Sequence, residues 1–390
     1  MKPIYLKKNE DRRIRAGHLW VFSNEVDTGR SPLRQFEPGE PTAIFSSGGS
    51  FLGNGYVNPN SLICARIVST RKNRWFGPDL VLKRLERALE LRKELFSSPC
   101  YRLVFGEGDL LPGLVVDRFD TILAVQVTTA GMERIHTDLQ QMLIKLLAPQ
   151  GIVWRNDVPS RRLEGLSGEV VCWGDIPETG TVTENGFTYE FPLLTGQKTG
   201  WFFDQRVNRA RFAACCSGKR VLDVFSYVGG TAILAAHSGA AEVQCIDSSS
   251  EALEYVERNS RGYGFQKKIE TTTGNAFDLL KDMAGERFGA VMLDPPAFIK
   301  RKKDYQRGKE AYVRLNSLGL DLVQDKGWFM TCSCSQHLDM AGLVDVVRRA
   351  GLRTKKRVRI LEKGGQGPDH PVHPSMPETA YLKSLLCWIG

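Results

Sequence analysis

The stretch VLDVFSYVGGTAILAAHSGAAEVQCID spans residues 221–247 and decides the fold. Its apolar start, glycine-bearing turn, helical pattern and second apolar run ending at Asp247 predict a strand, a turn, a helix and a strand. Gly229 and Gly230 let the backbone approach a ligand, and an acid about 20 residues further on can accept hydrogen bonds from ribose hydroxyls. The turn lacks the GxGxxG pattern, so the ligand need not be a dinucleotide. These features favour a nucleoside-type ligand, although an ordinary βαβ unit with a tight turn would also produce them.

Helical and strand patterns alternate from this stretch to the C-terminus. Such alternation predicts a doubly wound, mostly parallel sheet, in which ligands bind at the carboxyl ends of the strands. The predicted helices contain EALEYVERNSRGYG, NAFDLLKDMAG, AYVRLNSLGLDLVQ and AGLVDVVRRAG, and the predicted strands contain IETTTG, FGAVMLD, GWFMTCS, VRILEK and ETAYLKSLLCWI. We therefore predict an α/β fold with a Rossmann-like domain over residues 191–390.

Two further regions precede this domain. Residues 1–75 contain short β-type runs broken by Gly, Pro, Asn and Ser, which predict a small β-rich module. An amphipathic helix is predicted over 79–96, and strand and helix patterns follow it, so residues 76–190 predict a central α+β domain. Basic and aromatic side chains surround the first module, which suits contact with RNA, while a solvated basic face around core aromatics is the alternative. These side chains are Arg12, Arg13, Arg15, Trp20, Phe22, Tyr56, Arg66, Arg71, Lys72 and Arg74.

The composition constrains the partners more than the fold. The chain has 390 residues, 42% of them hydrophobic, and a net charge of +9 with a pI near 9.1. A basic globular protein of this kind favours a polyanionic partner. The start of the chain has no apolar signal segment, no run of about 18 apolar residues follows, and the nine cysteines are scattered. We therefore expect a cytoplasmic protein with reduced thiols, no membrane span and no metal site.

A rigid loop is predicted at the carboxyl end of the strand FGAVMLD, whose last residue is Asp294. Pro295 and Pro296 follow, and prolines stop both a helix and a sheet ladder. Asp294 could accept a hydrogen bond from an amine or a ring N–H, and Phe298 could stack on a base. A simple strand-ending turn is the alternative, but Asp-Pro-Pro after a buried strand favours a functional loop.

Two cysteines end the predicted strand GWFMTCSCS. A thiolate at such a position is a good soft nucleophile, whereas a buried cysteine often serves as a small hydrophobic side chain. Cys332 lies within the apolar run and is interpreted as a core residue. Cys334 lies beyond it, where its side chain can face a cleft, and is the candidate nucleophile.

In this order the motifs resemble those of class I S-adenosylmethionine-dependent methyltransferases. More closely, they resemble the bacterial large-subunit rRNA cytosine-C5 methyltransferases with an N-terminal PUA domain, and the resemblance covers essentially the whole chain. The motifs above contribute Asp223-x-Phe-Ser-Tyr-x-Gly-Gly, Asp247, Asp294-Pro-Pro-x-Phe and Ser333-Cys334-Ser335. The other matching segments are GHLWVFSNEV (17–26), YRLVFGEGDLLPGLVVD (101–117), GQKTGWFFDQRVNR (196–209), GPDHPV (367–372) and ETAYLK (378–383).

The resemblance implies a PUA module, a central domain and a methyltransferase domain that binds S-adenosylmethionine. It implies that Cys334 and Asp294 are catalytic, with Cys334 attacking the base that Asp294 orients. The implied substrate contacts are Lys198, Arg206, Pro295, Pro296 and Phe298. The implied cofactor contacts are Asp223, Phe225, Ser226, Tyr227, Gly229, Gly230, Asp247, Asn275, Ala276, Asp294 and Gln205. Asn275 departs from the Asp that relatives often carry, but an amide can still form a hydrogen bond with adenine.

The implied reaction forms 5-methylcytidine in 23S rRNA through an adduct between Cys334 and C6 of a flipped or unpaired cytosine. RNA is the implied partner, and a homodimer is compatible with the sequence. Two alternatives stay open. One is a guanine-N7, guanine-N2 or adenine-N6 methyltransferase, which needs no thiol, and the other is a catalytically inactive RNA-binding assembly factor. The basic segments 298–314 and 351–363 could bind phosphates or could form solvated faces.

Overall fold

A computed structural model of the chain describes residues 2–390. The chain forms two compact units. The first contains the residues up to Glu178 together with Leu193–Trp201 and Pro368–Thr379, and the second contains Thr179–Pro192, Phe202–Gly367 and Ala380–Gly390. Among the helices of residues 2–390, none combines the length and the apolar character that a membrane span needs.

The first unit begins with a five-stranded sheet. Its strands are β1 (Pro3–Tyr5), β2 (Trp20–Val21), β3 (Glu40–Phe45), β4 (Phe51–Val57) and β5 (Ala65–Ser69), with the short helix α1 (Arg12–Arg15) between the first two. They lie in the order β1-β3-β4-β5-β2, with β1 parallel to β3. Gly55 has no room for a side chain, because a Cβ there would lie 1.9 Å from the carbonyl oxygen of Arg66. The β-rich prediction for this region is confirmed.

A second five-stranded sheet completes the first unit, with strand order β10-β9-β8-β7-β6. These strands are β6 (Cys100–Phe105), β7 (Leu114–Phe119), β8 (Ile122–Val127), β9 (Gly151–Arg155) and β10 (Val170–Gly174), and the helices of this region are α2 (Pro78–Leu95), α3 (Ala130–Arg134), α4 (His136–Leu147) and α5 (Ser160–Leu163). The predicted helix over 79–96 corresponds to α2. A proline in its first turn starts it, and Leu85 and Leu89 on one face are buried.

The second unit is built on a seven-stranded sheet and a separate hairpin. The hairpin consists of β11 (Thr179–Glu184) and β12 (Phe187–Pro192), and the sheet of β13 (Arg220–Val224), β14 (Glu242–Asp247), β15 (Ile269–Thr273), β16 (Phe288–Leu293), β17 (Val323–Ser333), β18 (Val358–Gly364) and β19 (Lys383–Ile389). The order is β15-β14-β13-β16-β17-β19-β18. The first five strands in this order pair in parallel, and β19 is antiparallel to both of its neighbours. The predicted mostly parallel sheet is confirmed.

Six helices of the second unit alternate with these strands. They are α6 (Arg206–Ala213), α7 (Gly230–His237), α8 (Ser250–Gly262), α9 (Ala276–Asp282), α10 (Tyr305–Leu322) and α11 (Met340–Thr354). Every residue of β16 is buried, as expected for a central parallel strand with helices on both of its faces. Because β13, β14, β16 and β17 run in parallel, their carboxyl ends lie along one edge of the sheet. The predicted site residues after these strands therefore come to the same edge.

Two predicted strand boundaries need correction. The last strand starts at Lys383 and not at Glu378, because the backbone N–H of Tyr381 donates to the side-chain oxygen of Gln366 (3.2 Å) instead of to a neighbouring strand. The strand that ends in the two-cysteine motif starts at Val323, earlier than the predicted GWFMTCS segment.

The basic and aromatic residues of the first sheet divide between the two interpretations of that module. Arg66 is buried and its Nη1 lies 2.9 Å from Oε1 of Glu164, while buried Tyr56 donates from its hydroxyl to the carbonyl oxygen of Pro112. Tyr56 therefore follows the alternative of a core aromatic, whereas the buried ion pair of Arg66 fits neither RNA contact nor a solvated basic face. Arg71 and Lys72 are exposed and can meet a partner.

The sequence-based domain boundaries stay a prediction. Residue contacts group the hairpin Thr179–Pro192 with the second unit. The predicted division into 1–75, 76–190 and 191–390 rests on composition and sequence pattern. The two compact units are defined by residue contacts, so their boundaries do not coincide with the predicted ones.

Candidate active site

The turn after β13 carries the first group of predicted residues. Phe225, Tyr227 and Gly229 have positive φ angles of 66°, 52° and 82°. Side chains disfavour this region of backbone space, and such strain concentrates at functional sites. The backbone N–H of Phe225 donates to the carbonyl oxygen of Ile246 (2.8 Å), which ties the turn to β14.

Small residues complete this turn. A Cβ on Gly229 would lie 3.1 Å from a methyl carbon of Val256, so both the φ angle and the space favour glycine. Gly230 is the first residue of α7, and Ser226 is buried within the turn. The backbone at this position can therefore lie close to a ligand, as the sequence predicted for a nucleoside site.

Asp223 places a carboxylate beside the turn. It is only 2% exposed, and its Oδ2 has no hydrogen-bond partner within residues 2–390. Burial, reinforced by the nearby carboxylate of Asp294, raises the pKa of Asp223 to about 7. A buried carboxylate oxygen without a donor costs free energy until a ligand supplies one. The ammonium group of S-adenosylmethionine would supply both donors and a counter-charge, so this residue fits the implied cofactor.

Asp247 ends β14 with its carboxylate held by two backbone groups. Its Oδ2 accepts from the N–H of Tyr227 (3.0 Å) and its Oδ1 from the N–H of Ser249 (2.9 Å). A carboxylate oxygen has a second lone pair, so this fixed group can still accept hydrogen bonds from ribose hydroxyls. The geometry suits the ribose contact that the resemblance implies.

Asn275 is the N-cap of α9. Its Oδ1 accepts from the backbone N–H of Phe277 (2.9 Å), while its amide NH₂ makes no hydrogen bond to another described residue. The side chain is exposed, and the next residue, Ala276, is buried. Capping therefore occupies the oxygen and leaves the amide able to donate, as the implied adenine contact would need, whereas an aspartate could only accept.

The Asp-Pro-Pro loop continues directly from β16. The backbone N–H of Asp294 donates to the carbonyl oxygen of Val224 (3.3 Å), which aligns the loop with the end of β13. Pro295 is buried and Pro296 is exposed. The ring of Phe298 packs against Tyr312 at a centroid distance of 4.7 Å, with Phe277 at 5.9 Å. These contacts give Phe298 a packing role, and its predicted stacking on a base stays a prediction.

The two cysteines at the end of β17 have different surroundings. Cys332 is fully buried, which raises the pKa of its thiol well above the ordinary range, so its interpretation as a core residue agrees with its environment. Its Sγ lies 3.9 Å from Oε1 of Gln205. Cys334 follows the last strand residue and is partly exposed, with its Sγ 4.0 Å from the carbonyl oxygen of Pro295.

A hydroxyl cluster around Tyr312 joins the two strand-end loops, and sequence reasoning missed it. The Tyr312 hydroxyl lies 2.8 Å from Oγ of Ser335 and 3.0 Å from Oγ of Ser333, and it accepts from the N–H of Phe298 (3.4 Å). Ser335 Oγ also accepts from the N–H of Ile299 (3.1 Å). The cluster fixes the cysteine loop against the Asp-Pro-Pro loop. The serines that flank Cys334 were the available signal.

Three further predicted residues differ in their placement. Gln205 is buried and accepts from Nδ2 of Asn208 (2.6 Å). Arg206 is buried with its Nε 3.5 Å from a carboxylate oxygen of Glu184, which gives it an internal ion pair. Lys198 is exposed and belongs to the first unit. Their contacts with cofactor or RNA stay predictions.

Three of the matching segments meet in a buried network inside the first unit. The carboxylate of Asp117 accepts from Nε (2.8 Å) and Nη2 (2.6 Å) of Arg102 and from the hydroxyl of Thr199. The backbone N–H of Arg102 donates to Oδ2 of Asp369 (3.0 Å). Nη2 of Arg92 donates to the backbone carbonyl oxygen of Asp369 (2.8 Å). Asp369, in the matching segment GPDHPV, thus holds that segment to the second sheet.

Known proteins resemble this chain over almost its full length. Residues 4–70 match the family described as PUA-like domain, and residues 131–386 match the family described as S-adenosylmethionine-dependent methyltransferase. The ribosomal RNA large subunit methyltransferase I of Photobacterium profundum is 32% identical over 396 residues, which cover 99% of each chain. The protein of the same name from Aliivibrio fischeri is 32% identical over 394 residues, with 98% of each chain covered.

A solved structure from Streptococcus mutans, described as a SAM-dependent methyltransferase, has a TM-score of 0.83 over 100% of both chains. At 18% identity this likeness shows the fold. The family match, the relatives above 30% identity and the shared fold agree with the turn, acids and strand-end loops described above. The chain therefore belongs to the S-adenosylmethionine-dependent methyltransferases that carry an N-terminal PUA-like domain.

Proposed function

We propose that the protein methylates C5 of a cytidine in large-subunit (23S) ribosomal RNA, with Cys334 as the nucleophile. The observation that carries the proposal is the 4.0 Å distance between Sγ of Cys334 and the carbonyl oxygen of Pro295, the residue after Asp294. This contact brings the thiol to the loop that starts at Asp294, and C5 chemistry on a pyrimidine needs both a thiol and a carboxylate. The relatives named for large-subunit ribosomal RNA support that substrate.

The proposed reaction starts when the Cys334 thiolate adds to C6 of the cytosine, which turns C5 into an enamine carbon. Asp294 holds the base through N3 or the N4 amine. A proton that its carboxyl group donates to N3 neutralises the negative charge of the adduct and returns to the carboxylate when the sulfur leaves. When bound, S-adenosylmethionine supplies an electrophilic methyl group. After C5 has been methylated, a base removes its remaining proton, the C5–C6 double bond forms again, and the sulfur leaves as a thiolate.

The second unit offers a separate position for each part of the cofactor. We assign the ammonium group to the unpaired oxygen of Asp223, the ribose hydroxyls to Asp247 and the adenine to the free amide of Asn275. The turn at Gly229 allows the close approach that this requires. Asp223, Asp247 and Asn275 would thus hold the cofactor at the edge of the sheet where Cys334 and Asp294 also lie.

A basic groove in the first unit supports RNA as the partner. It has a volume of about 760 Å³ and is lined by side chains of β5, the loop after it and α2. The lining includes Arg71, Arg74, Lys83 and Arg87, and the exposed ring of Trp75 lies in the same loop as the first two. Cationic side chains bind phosphates and an exposed indole can stack on a base, so we propose that single-stranded RNA binds here.

A basic loop in the second unit also supports RNA as the partner, because it carries three exposed lysines. Lys300, Lys302 and Lys303 follow the Asp-Pro-Pro-Ala-Phe sequence and are exposed. None of these three lysines forms an ion pair with any residue from 2 to 390, whereas Arg301 between them pairs with Asp304 at 2.9 Å. Free ammonium groups so near the catalytic loop suit the phosphates that flank a target nucleotide.

The test replaces the sulfur and traps the adduct. Cys334→Ala should lower the rate of methyl transfer to ribosomal RNA fragments at least about a thousandfold, because the C5 pathway loses its nucleophile. RNA that carries 5-fluorocytidine should form a stable protein–RNA adduct with the wild-type protein, since fluorine at C5 cannot leave as a proton. The exposed Cys172→Ala variant is the matched control and should behave as the wild type in both assays.

Methyl transfer by the Cys334→Ala variant at a rate near that of the wild type would contradict the thiol mechanism. The product would then be identified by digestion and mass spectrometry as 7-methylguanosine, N2-methylguanosine or N6-methyladenosine. No calorimetric binding of S-adenosylmethionine at about millimolar concentration would instead favour an inactive assembly factor.

A further inference from the structure

Lys383 carries a buried ammonium group on the strand that pairs with the end of β17, just before the candidate nucleophile Cys334. It starts β19, where its Cα is paired in register with that of Ser333, and only 7% of the residue is exposed. Its Nζ donates to the carbonyl oxygens of Ser335 (2.7 Å) and Tyr381 (2.7 Å). Because Ser333 and Ser335 flank Cys334, Lys383 contacts the cysteine loop on both sides of the sulfur-bearing residue.

The surroundings of Lys383 leave its charge only partly compensated. Two carbonyl oxygens are its hydrogen-bond acceptors, so one of its three N–H groups has no acceptor within residues 2–390. Lys383 forms no ion pair with any carboxylate of residues 2–390. A buried ammonium group in this position costs free energy unless an anion lies near.

The ionisable groups around this ammonium point to the anion that would compensate it. Burial lowers the pKa of Lys383 to about 8, while the nearby Cys334 and Asp339, at the start of α11, favour its charged form. At neutral pH the side chain is therefore mostly protonated. Ionisable groups near Cys334 also include Tyr312 and Cys332, both neutral at this pH because burial raises their pKa values. They include Asp294 as well, one residue before the Pro295 carbonyl that the sulfur contacts, and a carboxylate there opposes a second negative charge.

We propose that Lys383 is a positioning residue that holds the Cys334 loop in place and shifts the ionisation of the Cys334 sulfur toward the thiolate. The hydrogen bond to Ser335 fixes the backbone on one side of the sulfur, and the Tyr312 cluster fixes the same serine through its side chain. The positive charge stabilises a thiolate more than a thiol, which lowers the pKa of a nearby cysteine. The catalytic meaning of this role rests on the proposed function, but the ionisation of Cys334 does not.

The experiment measures the alkylation rate of Cys334 by iodoacetamide between pH 5.5 and pH 10, with each cysteine followed by peptide mass spectrometry. In the wild-type protein we expect the midpoint for Cys334 to lie at least about one pH unit below that of exposed Cys172, which serves as an internal reference. Lys383→Gln should raise the Cys334 midpoint by about one unit and slow its alkylation at pH 7 roughly tenfold. Lys383→Arg, which keeps the charge, should retain most of the wild-type profile.

Two outcomes would overturn the proposal. One is a wild-type midpoint for Cys334 equal to or above that of Cys172, a measurement that needs no variant and so survives any folding defect. The other is an unchanged midpoint in a Lys383→Gln protein whose thermal unfolding matches that of the wild type. A structural role alone would alter the unfolding temperature and leave the pH midpoint where it was.

Kinetics separate this proposal from the proposed function. Under both, Lys383→Gln lowers kcat about tenfold at pH 7 and recovers activity at higher pH, with the KM for S-adenosylmethionine unchanged. A low, Lys383-dependent midpoint together with full activity of Cys334→Ala would sink the proposed reaction and leave the role of Lys383 in thiolate formation intact. A high midpoint together with a trapped 5-fluorocytidine adduct would support the proposed reaction and rule out the role of Lys383 in thiolate formation.

Discussion

At the scale of single residues, the buried carboxyl of Asp223 makes stability depend on pH, and in the proposed site it would link cofactor binding to pH as well. Its pKa rises from 3.8 to about 7 because the folded chain buries the carboxyl beside Asp294. The folded state therefore binds the proton more tightly than the unfolded state does. As a result, the free energy of unfolding falls as the pH rises from about 4 to about 7, and the ionised carboxylate remains unfavourable above that range until a cation binds.

Asp223→Asn tests this account directly. We expect the variant without cofactor to be more stable than the wild type at pH 8 by about 1 kcal/mol or more, because it lacks the buried charge, and to lose the decline of stability between about pH 4 and pH 7. Its affinity for S-adenosylmethionine should fall at least about tenfold, because the ammonium group loses its counter-charge. Thermal unfolding at pH 5 and pH 8 and calorimetry measure the two effects.

The control for this variant is Asp282→Asn, since Asp282 is an exposed acid on α9 with no ion pair among the described residues. It should change neither quantity. An Asp223→Asn protein that binds S-adenosylmethionine as tightly as the wild type would show that the ammonium group lies elsewhere.

At the scale of elements, the site depends on segments that the chain brings from far apart. Helix α10 supplies Tyr312, whose hydroxyl joins the loop after β16 to the loop after β17. In the first unit, the carboxylate of Asp117 on β7 accepts hydrogen bonds from Arg102 on β6 and from Thr199 of the segment Leu193–Trp201, and so joins these segments. Such ties hold irregular segments that have few backbone hydrogen bonds of their own.

Asp117→Asn should destabilise the protein by about 3 kcal/mol, because it leaves the guanidinium group of Arg102 without its buried carboxylate partner. The measurement is the midpoint of urea unfolding, with limited proteolysis to locate any opening at residues 193–201. Asp304→Asn removes the carboxylate of an exposed pair with Arg301 and should change the free energy of unfolding by no more than about 0.5 kcal/mol. Equal effects of the two changes would contradict the importance of the buried network.

At the scale of the whole molecule, charge governs the encounter with RNA. The net charge of +9 gives a long-range attraction to any polyanion, and the groove between β5 and α2 concentrates part of it. Binding that depends on phosphate contacts weakens steeply with salt, because neutralised phosphates release their counterions. The homodimer and the cytoplasmic location considered from the sequence stay predictions.

A double variant, Arg71→Glu with Arg87→Glu, should weaken RNA binding and reduce the slope of log K against log salt by about 2, one for each lost phosphate contact. Filter binding or fluorescence anisotropy with a ribosomal RNA fragment between about 50 and 200 mM salt gives the slope. The matched control reverses two exposed lysines, Lys267 and Lys268, and so changes the net charge equally. If both variants lower affinity to the same extent, the attraction is diffuse and the groove is not a binding site.

Local pattern was enough for the order and type of the elements in the seven-stranded sheet, although two strand boundaries differed from the prediction. The alternation of apolar strands and amphipathic helices predicted its mostly parallel sheet, and the strand-end position of Asp247, Asp294 and Cys334 predicted the edge at which they lie. Such predictions succeed because the period of apolar residues and the effect of proline and glycine act within a few residues of chain.

The sequence by itself determined the fold class, the strand ends that carry the acids and the thiol, and the exclusion of Cys332 from the cleft. Only the tertiary structure decided that Tyr312 joins two loops, that Asp369 holds Arg102, that Arg66 turns inward to Glu164 and that Lys383 lies beside the Cys334 loop. The physical reason is the same in each case. A hydrogen bond or ion pair between residues remote in the chain depends on how complete elements pack, and no local period or propensity encodes that packing.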